Sequence, residues 1–166
     1  MWLDKDNLFS DVNRSTDKDY HIRKPTEKEF LDACNEFWWV SANVAKGLLR
    51  NEITHAKEIQ ETVVRPMFMK VIEWKIGSEN QFSVSFGKGG KFINRYLPES
   101  DYEKLLMTYS DYLIINNWKS LFIMTELFGK FAMEFSTKMN FHYDLTEHNN
   151  TIDYLEKVYQ EQKNYR

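Results

Sequence analysis

The stretch that decides the fold is CNEFWWVSANVAKGLLRNE, residues 34–52. Its apolar residues recur every three or four positions, which is the period of an amphipathic helix. Just upstream, Thr26 and Glu29 form a capping-box pattern, so we expect a helix to begin there and to continue to about Arg50. Two adjacent tryptophans, Trp38 and Trp39, lie inside this helix. Which of them faces the core is therefore the first question about the protein.

A helical wheel separates the two tryptophans. At about 100° per residue, Trp38 falls on a broad apolar stripe with Leu31 and Phe37. Trp39 falls on the opposite arc, where it is the only large apolar side chain. The other members of that arc are polar or small: Asp32, Asn35, Glu36, Asn43, Lys46, Gly47 and Arg50. Because exposing an indole forfeits burial energy, we expect another element or a ligand to cover Trp39.

The neighbours of Trp39 define the ligand that would suit it. Glu36 supplies a carboxylate for a guanidinium or ammonium group, Asn43 supplies an amide for hydroxyls, and the indole can cover a ring face. Lys46 adds a cation one turn further on. The arc therefore predicts a site for a polyhydroxylated cation. The alternative is that the irregular loop or a neighbouring domain packs on Trp39.

The rest of the chain also favours helices. They are expected over residues 53–77 with a kink or break at Pro66, and over 99–110, 111–139 and 151–163. Residues 78–100 predict a short extended piece followed by a loop. The fold class is thus an all-α bundle of about five helices with one irregular loop insertion. Residues 1–25 predict a linker or the tail of a preceding domain, and residues 26–166 one helical domain.

Composition narrows the functional classes. The chain has 166 residues and a net charge of −3, which suits one domain with a real core and argues against a general nucleic-acid binder. A lone Cys34 excludes an intramolecular disulfide and fits a reducing compartment. No apolar run approaches the roughly 18 residues of a membrane span, and no signal peptide is evident. We therefore expect a cytoplasmic protein that binds neither membranes nor nucleic acid.

The glycine-rich GKGGK stretch, residues 87–91, resembles a phosphate-binding loop only loosely. A P-loop needs a different spacing and lies between a strand and a helix. We expect a surface loop, with the alternative that Lys88 or Lys91 reaches a phosphate from the side.

The sequence gives little support for a metal site or for acid–base catalysis. Two Asp-Lys-Asp patterns, at residues 4–6 and 17–19, lie in polar, loop-like sequence rather than on a strand, so no metal site is expected. The four histidines show no metal-ligand spacing. Arg50 and His55 match a short pattern of some helical ribonuclease-like domains, which leaves RNA cleavage as an alternative function.

A series of segments in order carries a more specific signal: DKDYHIRKPTEKEF, CNEFWWVS, VAKGLLRNEI, RPMFMKVIEWKIG, FSVSFGK, KFINRYLP and NNWKSLFIMTELF. With these segments the chain resembles the aminoglycoside 6-adenylyltransferases, which are streptomycin-modifying nucleotidyltransferases. The resemblance implies transfer of AMP from ATP to the 6-hydroxyl of streptomycin, with magnesium on the phosphates. It also implies that the helices form one wall of the substrate cleft.

The same resemblance implies roles for individual residues. Trp39 would stack on the aminocyclitol, Glu36 would pair with its guanidinium groups, and Asn43 would orient a hydroxyl. Lys46 would face the phosphates of ATP, with Lys88 as a second candidate.

Part of the family pattern is missing from the chain. It contains no Gly-Ser-Arg motif and no strand with an Asp-x-Asp pair, so the resemblance covers only the C-terminal helical domain. We expect no catalytic residues, no metal ligands and no cofactor bound by this chain alone, and hence no adenylylation by the isolated chain. A separate nucleotidyltransferase chain acting with a stand-alone helical module, and an interaction domain without a ligand, remain as alternatives.

Overall fold

The structure is a computed structural model that describes residues 17–164. The bounds of its α-helices are α1 Glu27–Leu49, α2 Ile53–Ile59, α3 Arg65–Glu79, α4 Glu99–Met107, α5 Ile114–Met139 and α6 Leu145–Asn164. Helices α2 and α3 form one kinked rod, so the described residues form a bundle of five rods without a β-strand. The prediction of an all-α bundle with one irregular insertion is confirmed.

Helix α1 begins as its sequence predicts. The Thr26 side chain accepts a hydrogen bond from the Glu29 N–H, and the Glu29 carboxylate accepts one from the Thr26 N–H. This reciprocal capping satisfies two backbone donors that an uncapped helix leaves unpaired. The cap fixes where α1 starts.

The kink at Pro66 takes a specific form. A five-residue π-helical stretch, Gln60–Val64, joins α2 to α3, and Pro66 lies in the first turn of α3. The wider π turn lets the rod continue although proline offers no backbone N–H. The rod bends without ending, and α3 runs back along α1.

Two glycines lie in environments that the sequence did not predict. Gly77 was expected to close this helix, but α3 continues to Glu79. A Cβ on Gly77 would lie 2.7 Å from Ile22 and Phe82, so this glycine allows the segment before α1 and the loop after α3 to pack closely. Gly47, assigned to the polar arc, is buried because α2 crosses it, and its Cβ would lie 3.1 Å from that of Ala56.

Helix α5 is the centre of the bundle, in contact with α1, α3, α4 and α6. Its Phe128 ring stacks on Phe37 of α1 with centroids 3.6 Å apart. Phe30 near the start of α1 contacts Phe135 near the end of α5, so these helices are antiparallel. Helix α6 runs parallel to α1, because Gln162 near its end donates to the Leu48 carbonyl at 3.0 Å.

The last helix is longer than predicted. It begins at Leu145, six residues before the expected start at 151. The Asp144 carboxylate accepts hydrogen bonds from the Thr146 and Glu147 N–H groups at 2.8 and 3.0 Å. The prediction followed apolar periodicity, and the first turns of α6 are polar. These early turns border the groove described below.

The segment before α1 is only partly described. The boundary predicted between residues 1–25 and 26–166 stays a prediction, although Ile22 is buried in the helical core and donates its N–H to the Val84 carbonyl at 3.0 Å. The first Asp-Lys-Asp pattern, at residues 4–6, lies outside the described residues. None of the helices among residues 17–164 is long and apolar enough to cross a membrane.

Candidate functional site

A groove of about 710 Å³ lies on the outer surface between α1 and α6. On the α1 side it is lined by Leu31, Asp32, Asn35, Trp38, Trp39 and Ala42. On the α6 side it is lined by His142, Asp144, Thr146, Glu147, Asn150, Thr151 and Tyr154. We call it the α1–α6 groove. Its walls are two helices packed on the core, so its side chains stand on a rigid frame.

The two tryptophans have the environments that the helical wheel predicts. Trp38 is 1% exposed, whereas Trp39 is 71% exposed. Trp38 stacks on His148 of α6, with ring centroids 4.6 Å apart and planes 15° from parallel. No described element covers Trp39, so a flat indole surface stands open at the groove.

His148 ties the second wall to the core. A Cβ on Gly129 of α5 would lie 2.6 Å from the His148 ring, so the absence of a side chain lets the imidazole enter. The Tyr143 hydroxyl lies 3.2 Å from His148 Nδ1, and burial lowers the pKa of His148. A mostly neutral imidazole here packs as an aromatic ring, which suits a role in positioning α6 against Trp38.

The charged side chains that line the groove are acidic, apart from the titratable His142. Backbone N–H groups, first that of Glu147 and then that of Thr146, hold the pKa of Asp144 below its ordinary value. Burial, and then the charge of Asp144, raise the pKa of Glu147. Neither carboxylate forms an ion pair with a lysine or arginine of residues 19–162, whereas Asp32 pairs with Lys28 at 2.6 Å. The groove thus offers unneutralised negative charge beside an aromatic face.

The residues proposed from the sequence do not all line this groove. Trp39 does. Glu36 lines a smaller groove of about 370 Å³ between α1 and α3, together with Lys70 and Trp74. Asp32 lines both grooves, so they lie on either side of the same outer ridge of α1.

The remaining three sequence candidates lie outside both grooves. Asn43 is half-buried on α1 and is not part of either lining. Lys46 is exposed seven residues beyond Trp39, on the same side of the helix and about 10 Å along its axis. Lys88 is exposed in the loop after α3.

Sequence reasoning missed the α6 wall. Asp144 and Glu147 were not candidates, because the helix was expected to start after them. The signal was nevertheless present: Asp144 and Glu147 have the N-cap and N3 spacing that located the start of α1. On α1, Asp32 and Asn35 were placed on the polar arc but not selected.

Arg50 and His55, the pair that left RNA cleavage as an alternative function, form no comparable site. Arg50 donates to Glu52 at 2.7 Å, and neither Arg50 nor His55 lines either groove. Among residues 17–164 no group of three or more His, Cys, Asp or Glu side chains could hold a metal ion. Burial raises the pKa of Cys34 above its ordinary value, so its thiol is not a candidate nucleophile.

Fold and groove together define a class of protein: an all-helical domain with an open, acidic groove suited to a cationic ligand that has a flat or ring-shaped face. The comparison with protein families makes this specific. The family described as streptomycin adenylyltransferase matches residues 1–158, and the chain belongs to that family.

Individual relatives agree with this assignment. The chain is 41% identical over 141 residues to an aminoglycoside 6-adenylyltransferase of Bacillus subtilis, covering 85% of this chain and 50% of the relative. It is 39% identical over 147 residues to one of Staphylococcus aureus, covering 89% and 52%. A crystal structure of an aminoglycoside 6-adenyltransferase from Bacillus subtilis superposes with a TM-score of 0.74 at 38% identity, covering 90% of this chain and 57% of that one. The chain thus spans about half the length of the curated relatives that it matches.

Proposed function

We propose that this chain is the substrate-binding part of an aminoglycoside 6-adenylyltransferase, an enzyme that transfers AMP from ATP to a hydroxyl of an antibiotic such as streptomycin and so confers resistance. The observation that carries the proposal is the α1–α6 groove, where the exposed Trp39 indole stands beside carboxylates that lack a cationic partner. Family membership supplies the reaction, and the groove supplies a place for the antibiotic.

The chemistry of the groove matches that of an aminoglycoside. Such a molecule presents guanidinium or ammonium groups, several hydroxyls and the faces of saturated rings. Asp144 and Glu147 offer charge-assisted acceptors for the cations, and the Asn35 and Asn150 amides can bond hydroxyls. Trp39 offers an apolar face for a ring.

Glu36 and Asn43, proposed from the sequence, would act from the far side of the α1 ridge. A molecule with several rings can cross this ridge, since Asp32 belongs to the grooves on both sides of it. On this proposal Trp39 and Asp32 lie at the middle of the bound antibiotic, with Glu36 at one end and Glu147 at the other. Lys46 and Lys88 remain proposed contacts of the nucleotide.

The transfer itself needs groups beyond these. In the complete enzyme ATP would supply the adenylyl group and magnesium would neutralise its phosphates. The described residues offer no cluster of side chains that fits magnesium, so no step is assigned to a metal held by residues 17–164. Their contribution is to bind and orient the acceptor and to exclude water from it. We therefore propose that the chain alone does not adenylylate streptomycin, and turnover by the isolated chain would contradict this.

Calorimetric titration of the chain with streptomycin tests the proposal. Wild type should bind saturably, and Glu147→Gln should weaken binding by about tenfold, which corresponds to about 1.4 kcal/mol. The matched control is Asp153→Asn, which removes one negative charge from an exposed position of α6 outside the groove. Equal losses in both variants would mean that only net charge matters, and the groove would not be the site.

A further inference from the structure

The loop after α3 is a cluster of unneutralised positive charge. Lys88, Lys91 and Arg95 are exposed within nine residues, and none of them forms an ion pair with a side chain of residues 19–162. Elsewhere many cations have a carboxylate partner: Arg23, Lys28, Arg50, Arg65, Lys75, Lys104 and Lys130. Three free cations on one short loop are unusual in a chain whose net charge is −3. We call residues 87–95 the basic loop.

Two of the three cations of the basic loop, Lys91 and Arg95, lie near the same aromatic ring. The Lys91 ammonium lies 4.8 Å and the Arg95 guanidinium 4.0 Å from the centroid of the Phe92 ring. These two cations are therefore at most 8.8 Å apart, and cation–π attraction offsets part of their mutual repulsion.

The backbone of the loop is anchored and partly open. Gly90 packs between Met69 of α3 and the buried Ile93, where a Cβ would lie within 2.9 Å of both side chains. Gly89, at φ 65°, has no atom within 4 Å of its Cβ position, so one side of the turn faces open space. Such turns point successive N–H groups in one direction and can bind anions. The loop therefore combines a fixed base with an accessible, positively charged rim.

The position of the loop extends a charge pattern across the molecule. Lys70 follows Met69 on α3, forms no ion pair with a described residue, and lines the smaller groove opposite Glu36. The free cations of the basic loop and Lys70 thus lie apart from the free carboxylates of Asp144 and Glu147, which line the α1–α6 groove. The molecule therefore has separate regions that suit a cationic and an anionic molecule.

We propose that the basic loop binds the triphosphate of a nucleotide, with Lys88, Lys91 and Arg95 as the phosphate contacts. The proposal rests on the proposed function, in which ATP is the second substrate, and it adds Lys91 and Arg95 to the contact expected of Lys88. Lysines bind phosphate oxygens as point charges, and the arginine fork can bind two oxygens at once. A triphosphate carries several negative charges in one compact group, which suits three cations on one short loop.

The experiment is calorimetric titration of the whole chain with inorganic tripolyphosphate and, separately, with ATP. Wild type should bind both saturably. The triple variant Lys88→Gln, Lys91→Gln, Arg95→Gln should bind tripolyphosphate at least tenfold more weakly. These side chains are exposed, so circular dichroism should show an unchanged helical fold. Undiminished binding by the triple variant, or no binding of either anion by wild type, would overturn the proposal.

A matched triple variant tests whether phosphate binding depends on the basic loop or only on the net charge of the chain. Lys119, Lys138 and Lys157 are exposed on α5 and α6 and form no ion pair with a described residue. Changing all three to glutamine removes the same charge and should leave tripolyphosphate binding within twofold of wild type. An equal loss would mean that the phosphate senses only overall charge. A short single-stranded RNA that binds the loop and is not displaced by tripolyphosphate would also overturn the proposal, in favour of a nucleic-acid partner.

Streptomycin titrations of the same proteins keep the two proposals apart. The basic-loop triple variant should retain streptomycin affinity, and Glu147→Gln should retain tripolyphosphate affinity. Loss of phosphate binding with intact streptomycin binding in the triple variant supports two separate sites. If wild type binds streptomycin but no phosphate, only the proposal for the basic loop is overturned. If wild type binds tripolyphosphate but no streptomycin, only the proposal that the groove binds the antibiotic is overturned.

Discussion

Trp38 and Trp39 are neighbours on the same helix, yet their environments are opposite. Trp38 is enclosed by Phe37, Phe128 and His148, and Trp39 is 71% exposed beside carboxylates. A rotation of about 100° per residue is enough to move an indole from the core to the outer ridge. The comparison teaches that α1 has two separate tasks: its inner face stabilises the bundle, and its outer face is free to bind.

The largest expected effect is on stability, when each tryptophan side chain is shortened to alanine. Trp38→Ala removes a fully packed indole and should lower the free energy of unfolding by about 3–5 kcal/mol. Trp39→Ala removes an exposed one and should change it by less than about 0.5 kcal/mol. Urea denaturation measures both. Equal losses would mean that Trp39 also packs against protein and that the two faces are not distinct.

The next largest expected effect is a loss of stability when the packing of α6 beside Trp38 is disturbed. Gly129→Ala places a methyl group where the His148 ring lies and should cost roughly 1–3 kcal/mol through overpacking. The cost of overpacking should outweigh the stabilisation of roughly 1 kcal/mol that alanine normally provides over glycine inside a helix. Thermal or urea unfolding measures the change. In the double variant with His148→Ala the clash should disappear, so a strictly additive double-mutant cycle would contradict the packing that we describe.

A smaller effect concerns the cap at the start of α1. Thr26→Ala should cost about 1 kcal/mol because the Glu29 N–H loses its side-chain acceptor, whereas the backbone N–H of residue 26 can still donate to the Glu29 carboxylate. Hydrogen bonds from Arg23, and then from Thr26, lower the pKa of Glu29 to about 2. Since the folded pKa lies below the unfolded value of about 4.3, this contribution is complete above about pH 4.3 and is lost as pH falls towards 2.

Glu29→Gln checks the sign of that pH dependence. The loss of stability of wild type between about pH 4.3 and 2 should be steeper than that of the variant. Denaturation midpoints across this range give the answer. Parallel curves for the two proteins would show that the Arg23–Glu29 contact does not persist in solution.

The smallest effect concerns the pH dependence of binding at the outer face. On the proposed function, streptomycin binding depends on ionised Glu147, whose pKa is raised by burial and by Asp144. Affinity should therefore fall a few-fold as pH drops through a value above the ordinary carboxyl pKa of about 4.3. Calorimetry at several pH values should also show proton release on binding, because a bound cation favours the carboxylate. Glu147→Gln should remove most of this dependence, and an unchanged pH profile would place the antibiotic elsewhere.

Much of this architecture followed from local rules of sequence. The capping box at Thr26, the opposite environments of the two tryptophans and the apolar α5 were predicted correctly, because each depends on spacing within one helix. The π-helical bend before Pro66 could not be specified beyond a kink, because several backbone solutions accommodate a proline.

The site was only partly predictable for a related reason. A groove needs two walls, and which helices become neighbours depends on packing at a distance. The wheel of α1 identified Trp39 and Glu36 but could not show that they lie on opposite sides of a ridge. The start of α6 at Leu145 escaped notice because its first turns are polar, which suits a binding surface and hides the helical period.

Tryptophan fluorescence during streptomycin titration tests the central claim most directly, namely that the outer face of α1 binds the antibiotic. Trp38, Trp74 and Trp118 are at most 8% exposed, so Trp39 is the described tryptophan whose indole is largely open to a ligand in the groove. We predict a saturable change in wild type that is lost in Trp39→Phe and kept in the control Trp2→Phe. The claim is contradicted if the change persists in Trp39→Phe, or if wild type shows none at millimolar streptomycin.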